Sequence, residues 1–132
     1  MARFMIPKPV LVALALFAGL LFAGGARAQC DVNNPLMLCP LNVCIALQAD
    51  VVLSCKTPAP MSCAGITGCS LLQAEKTKWL ACYAARSRIN VTCFGGGNLG
   101  HQQAAAQAIQ NVATCDVRIK LPRPVGCADP CP

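Results

Sequence analysis

Eleven cysteines in a chain of 132 residues constrain the fold more than any other feature. They stand at positions 30, 39, 44, 55, 63, 69, 82, 93, 115, 127 and 131. No two have the C-x-x-C spacing of zinc or thioredoxin-like redox motifs, and there is a single histidine, so neither a metal nor a cofactor is expected. The remaining use is structural cross-linking, which requires an oxidising compartment. Five bridges are predicted, each stabilising the fold by about 2 to 4 kcal/mol through the entropy of the unfolded chain. The odd cysteine is left as a free thiol or as the link of a disulfide-bonded dimer.

The N-terminus agrees with that compartment. Arg3 and Lys8 precede an unbroken apolar run over residues 10–22, and Ala26-Arg27-Ala28 supplies the small residues that a signal peptidase reads. Residues 1–28 are predicted to be a cleaved signal peptide of a chain that ends up periplasmic or secreted. The apolar run spans about 20 Å as a helix against a hydrocarbon core of about 30 Å, so no stable membrane insertion is expected after cleavage. Residues 29–132 keep every cysteine but only Trp79, Tyr83 and Phe94 as aromatics. They carry 8 basic and 5 acidic residues, a net charge of +3, which is mildly basic and short of a nucleic-acid-binding extreme. Such a chain makes one small domain with a thin core.

Spacing predicts a mainly α fold. A helix over 70–92 begins with a capping box from Ser70 and Gln73, and Leu72, Trp79, Cys82, Arg86, Ile89 and Cys93 share one face. Gly95-Gly96-Gly97 ends it, Asn98 is the N-cap of a second helix over 99–119, and His101, Ala105, Ala108, Val112, Cys115 and Ile119 share a face of that helix. The short connection makes an antiparallel αα-hairpin, the core of the domain over 69–120, and counting outward from Gly96 predicts a Cys82–Cys115 bridge. A shorter helix is expected over 41–55. Cys44 and Cys55 are about three turns apart, as are Cys82 and Cys93, so each must bond outside its own helix. Residues 56–68 read as a loop held by Cys63 and Cys69, and residues 121–132 as an irregular proline-rich tail pinned by Cys127 and Cys131.

The run Trp79-x-x-Cys82-x-x-Ala85-Arg86-x-x-Ile89-Asn90-x-x-Cys93-Phe94-x-Gly96-Gly97-Asn98-x-Gly100-His101-x-x-Ala104, with Cys115 beyond, resembles the cysteine-containing "novel toxin" domains at the C-termini of bacterial polymorphic toxins. The resemblance covers about residues 69–115 and departs from the family at Asn98, where an aspartate is common. It also departs in format, because such domains usually end very long exported proteins. It implies an exported toxin-like effector, with a nucleic acid as substrate or an immunity protein as partner.

Several residues could carry such an activity. His101 titrates near neutrality, Arg86 offers a planar fork for phosphate or carboxylate, and the helix N-terminus begun by Asn98 favours anions. His101 and Arg86 are the candidate catalytic pair of a nuclease-like toxin, with Asn90, Asn98 and Gly97 as candidate anion-binding positions. None of Asp31, Asp50, Glu75, Asp116 and Asp129 falls in the turn, so no second acid or base stands beside the histidine. The structural alternative is that His101 bonds a neighbouring carbonyl while Arg86 lays its stem across the core. Lys76, Lys78, Arg88, Arg118 and Lys120 read as solvated helix faces. A secreted phospholipase needs a calcium loop and an adjacent His-Asp pair, and is set aside because Gln102 follows His101. The competing class is a non-catalytic periplasmic or secreted interaction protein, for example of a secretion or conjugation system.

Overall fold

The computed structural model describes residues 30–129; the signal peptide expected over 1–28, Gln29 and Cys131 lie outside them. Among the described residues the chain forms three α-helices, α1 (Leu41–Lys56), α2 (Cys69–Phe94) and α3 (Leu99–Ile119), with a 3-10 turn at Cys63–Gly65. The mainly α expectation holds, and the bounds of α3 and the start of α1 fall where spacing put them. The start of α2 does not. Gly68 is its N-cap, at φ 102°, and no side chain caps the helix; the Leu72 N–H bonds the Gly68 carbonyl instead. Ser70 therefore lies inside the first turn.

α2 is the central element, packed by α1 on one flank and by α3 on the other. One core cluster joins Cys44 and Val51 of α1 to Ala85, Ile89, Cys93 and Phe94 of α2. A second joins Cys63, Ile66, Leu72 and Cys115, flanked by Trp79 and Ile119. With so little apolar mass, bridges must complete the fold. Among the described residues there are five: Cys30–Cys44, Cys39–Cys93, Cys55–Cys82, Cys63–Cys115 and Cys69–Cys127.

This corrects the expected Cys82–Cys115 bridge. Cys82 pairs with Cys55 of α1 at a Cα separation of 4.8 Å, and Cys115 pairs with Cys63 of the loop at 5.0 Å. The single-stripe reading of α2 assigned its whole buried face to α3, whereas Cys82, Ala85, Ile89 and Cys93 turn towards α1. As expected, neither Cys44 with Cys55 nor Cys82 with Cys93 bonds within its own helix. The sulfurs of Cys39, Cys44 and Cys93 lie within 4.8 Å of one another, but all three belong to bridges, so the group offers no thiolate.

The tail is pinned through Cys127, whose N–H also donates to the Ile119 carbonyl. Gly126 makes that possible, because a Cβ there would run into the carbonyl oxygens of Leu121 and Arg118.

Candidate functional site: the glycine-turn corner

The turn between α2 and α3 is built by its own polar residues. Gly95 and Gly96 take φ of 56° and 84°, the left-handed region that glycine enters without a Cβ clash. Asn90, 7% exposed, spans the turn with both ends of its amide: Nδ2 donates to the Gly96 carbonyl at 3.0 Å and Oδ1 accepts from the Asn98 N–H at 2.9 Å. Asn98 Oδ1 then accepts from the His101 N–H at 3.0 Å, the N-cap bond that spacing predicted. Gln102 Nε2 adds a further donor to the Gly96 carbonyl. The Gly97 N–H donates to the Phe94 carbonyl at 2.8 Å. The candidate anion-binding positions thus hold the first turn of α3 in place.

This scaffold sets His101 at 0% exposure, with its ring centroid 5.7 Å from that of Phe94 at a 30° tilt. Neither ring nitrogen has a hydrogen-bond partner among the described residues, and the buried Nε of Arg86 has none either. Burial first, and then the Arg86 charge, lower the His101 pKa to about 4, so the imidazole is neutral at physiological pH. Burial alone pushes the Arg86 guanidinium below its ordinary value. The structure therefore brings the candidate pair together, since the charge of one acts on the ring of the other. An unpaired buried imidazole costs about 1 to 3 kcal/mol, which a purely structural histidine avoids by bonding a neighbouring carbonyl.

Five other cations are engaged elsewhere. Lys76 pairs with Asp116, Lys78 with Glu75, Arg88 with Asp50 and Arg123 with Asp129. Arg118 donates from Nη2 to the Ile66 carbonyl at 2.6 Å, so it is a clamp on the loop and no solvated face. No carboxylate of the described residues bonds His101.

Two features escaped the sequence. Glu75 is 0% exposed, accepting from the Met61 N–H at 2.7 Å and from Lys78 Nζ at 2.6 Å. Burial works to raise its pKa, but the Lys78 and Met61 hydrogen bonds and the Lys78 charge outweigh it and hold the carboxyl below its ordinary value. Trp79 Nε1 donates to the Met61 carbonyl at 2.8 Å, completing a clamp between the loop and α2. The signal was available, for Glu75 lies three residues after Leu72 and four before Trp79 on one helical face. The second is a groove of about 200 Å³ lined by Pro35, Leu36, Leu38, Phe94, Gly97 and Asn98.

Comparison with known proteins is decisive at family level. The family model Novel toxin 16 matches residues 38–118, more than half of the chain. The chain belongs to the Novel toxin 16 family. The match takes in α1 and the loop as well as the hairpin, so this Novel toxin 16 domain is the whole three-helix unit. No curated protein and no solved structure matches it.

Proposed function

We propose that this toxin domain is exported and acts through the His101–Arg86 corner, which engages a phosphodiester. The observation that carries the proposal is the wholly buried imidazole with both nitrogens unpartnered beside a desolvated guanidinium. An anion between them would satisfy Arg86 and would raise the His101 pKa towards the neutral range, where the ring can accept and return a proton. Asn90, Asn98 and Gly97 serve as positioning residues, since their bonds fix the turn that carries His101. Five disulfides support export to an oxidising space, periplasmic or secreted. A nucleic acid is the first carrier to try, with an immunity protein as the expected inhibitor of such a toxin.

A second reading has one observation in its favour. His101 is enclosed at 0% exposure, as it would be in a non-catalytic secreted interaction module.

The test uses the oxidised protein with RNA and DNA, and cells producing the signal-bearing or signal-less form, each beside His101→Ala and Arg86→Ala. Growth arrest by the wild type that both variants lose supports the toxin corner. Equal inertness, or equal toxicity, of all three proteins overturns it.

A further inference from the structure

Two bridges tie the segment before α1, residues 30–40, to the helices: Cys30–Cys44 to α1 and Cys39–Cys93 to α2. The Leu38 N–H adds a bond to the Cys93 carbonyl at 2.7 Å. So held, the segment lies against the glycine turn. Its Pro35, Leu36 and Leu38 face Phe94, Gly97 and Asn98 across the groove. Of those three, Phe94 packs its ring on His101 and Asn98 caps the His101 N–H.

The two bridges are not independent of each other. The sulfurs of Cys39, Cys44 and Cys93 lie within 4.8 Å of one another, and Cys44 and Cys93, each 0% exposed, pack in one core cluster. A disulfide is broken by attack of a thiolate on one of its sulfurs, so a thiolate released at Cys44 would have the Cys39–Cys93 bridge as its neighbour. Cys44 also stands in the first turn of α1, where the partial positive charge of the helix end favours a thiolate. An external thiol reaches the first bridge at Cys30, which is half-buried, whereas Cys44 is enclosed. Of the two sulfurs that Cys44 could then expel, that of Cys39 leaves more readily. Cys39 is half-buried on a segment outside the helices and can turn towards solvent, whereas Cys93 is enclosed on α2, where burial disfavours a thiolate.

We propose that residues 30–40 form a redox latch, in which one dithiol that reduces Cys30–Cys44 frees the segment from both bridges and uncovers the turn that carries His101. The dithiol attacks Cys30 Sγ, and the electron pair of the broken S–S bond stays on Cys44 Sγ. That thiolate attacks Cys93 Sγ, and the pair of the second bond leaves on Cys39 Sγ, which takes up a proton. The second sulfur of the dithiol then releases Cys30 as a thiol. The net products are an oxidised dithiol, thiols at Cys30 and Cys39, and a Cys44–Cys93 bridge that still joins α1 to α2. A reducing compartment supplies such dithiols. The release itself is independent of the proposed function; what it would switch on rests on that reading.

The test uses the oxidised protein with its free thiols first blocked by N-ethylmaleimide. It is titrated with limiting dithiothreitol, quenched with iodoacetamide and mapped by peptide mass spectrometry. The expected product is alkylated by iodoacetamide at Cys30 and Cys39 and contains a Cys44–Cys93 bridge. Alkylation at Cys30 and Cys44 with Cys39–Cys93 intact overturns the latch, and so does a Cys30–Cys44 bridge that survives until the helical circular dichroism is lost. The trapped product with its other three bridges intact is then isolated and treated with diethyl pyrocarbonate, which modifies an accessible imidazole, of which the chain has one. His101 should react at least about tenfold faster than in the oxidised protein, because local opening of the turn is no longer opposed by the bridged segment. An equal rate would mean that the segment does not shield the turn, and overturns the proposal. A faster reaction against which a dinucleotide gives no protection supports the latch and counts against the phosphodiester corner.

Discussion

His101 is where the domain accepts a cost in stability. Its folded pKa of about 4 lies below the ordinary 6.5, so between those pH values the unfolded chain takes up a proton that the folded chain refuses. Stability therefore falls as pH drops from about 6.5 to about 4 and levels off below, by about 3 kcal/mol over the whole window. Glu75 acts in a lower window, since its depressed carboxyl pKa means that its contribution is lost as pH falls below the ordinary carboxylate range. Thermal melts against pH will show the upper step in the wild type and not in His101→Leu. At pH 7 the leucine variant should melt no lower than the wild type, because an apolar side chain of similar size replaces an imidazole without partners. A variant several degrees less stable at pH 7 would mean that His101 is a satisfied structural residue. Glu75→Ala should cost about 1 to 3 kcal/mol, for it strands the Met61 N–H, and should change the Trp79 fluorescence through the shared Met61 clamp.

Among the elements, α3 was the most legible, because its cap, its apolar period and its preceding glycines all indicate the same bounds. Asn98→Ala should destabilise the protein by about 1 kcal/mol, and a denaturation midpoint unchanged from wild type would contradict the N-cap role of Asn98. The start of α2 was misread because Ser70 and Gln73 satisfy a local pattern, whereas the Cys69–Cys127 bridge and the glycine conformation at 68 place the true boundary. Bridge partners were legible only in the negative. A helix face dictates which cysteines cannot meet, but which helix Cys82 meets depends on α2 having a neighbour on each side, and helical periodicity carries no record of that. Of the site, His101, Arg86, Asn90 and Asn98 could be read from spacing around the glycines. The Phe94 contact and the groove could not, since the segment over 31–40 that walls the groove has no periodicity of its own.

At the scale of the whole molecule, two small core clusters are held by bridges that join residues far apart in sequence. Cys39–Cys93, Cys63–Cys115 and Cys69–Cys127 close separations of 54, 52 and 58 residues, for which chain entropy gives about 4 kcal/mol each. Reduction should therefore abolish the cooperative melt seen by circular dichroism, and a reduced protein melting like the oxidised one would refute that dependence. The buried His101 lies in the first turn of α3, just past the glycine turn. Whether that histidine serves a ligand is tested most directly by following its ring nitrogens in the oxidised protein through a pH titration, with and without a dinucleotide as a soluble phosphodiester. The account predicts an ordinary neutral ring with a pKa near 4 alone, moving up towards 6.5 or beyond once the anion binds; ring resonances and a pKa indifferent to the ligand would contradict it.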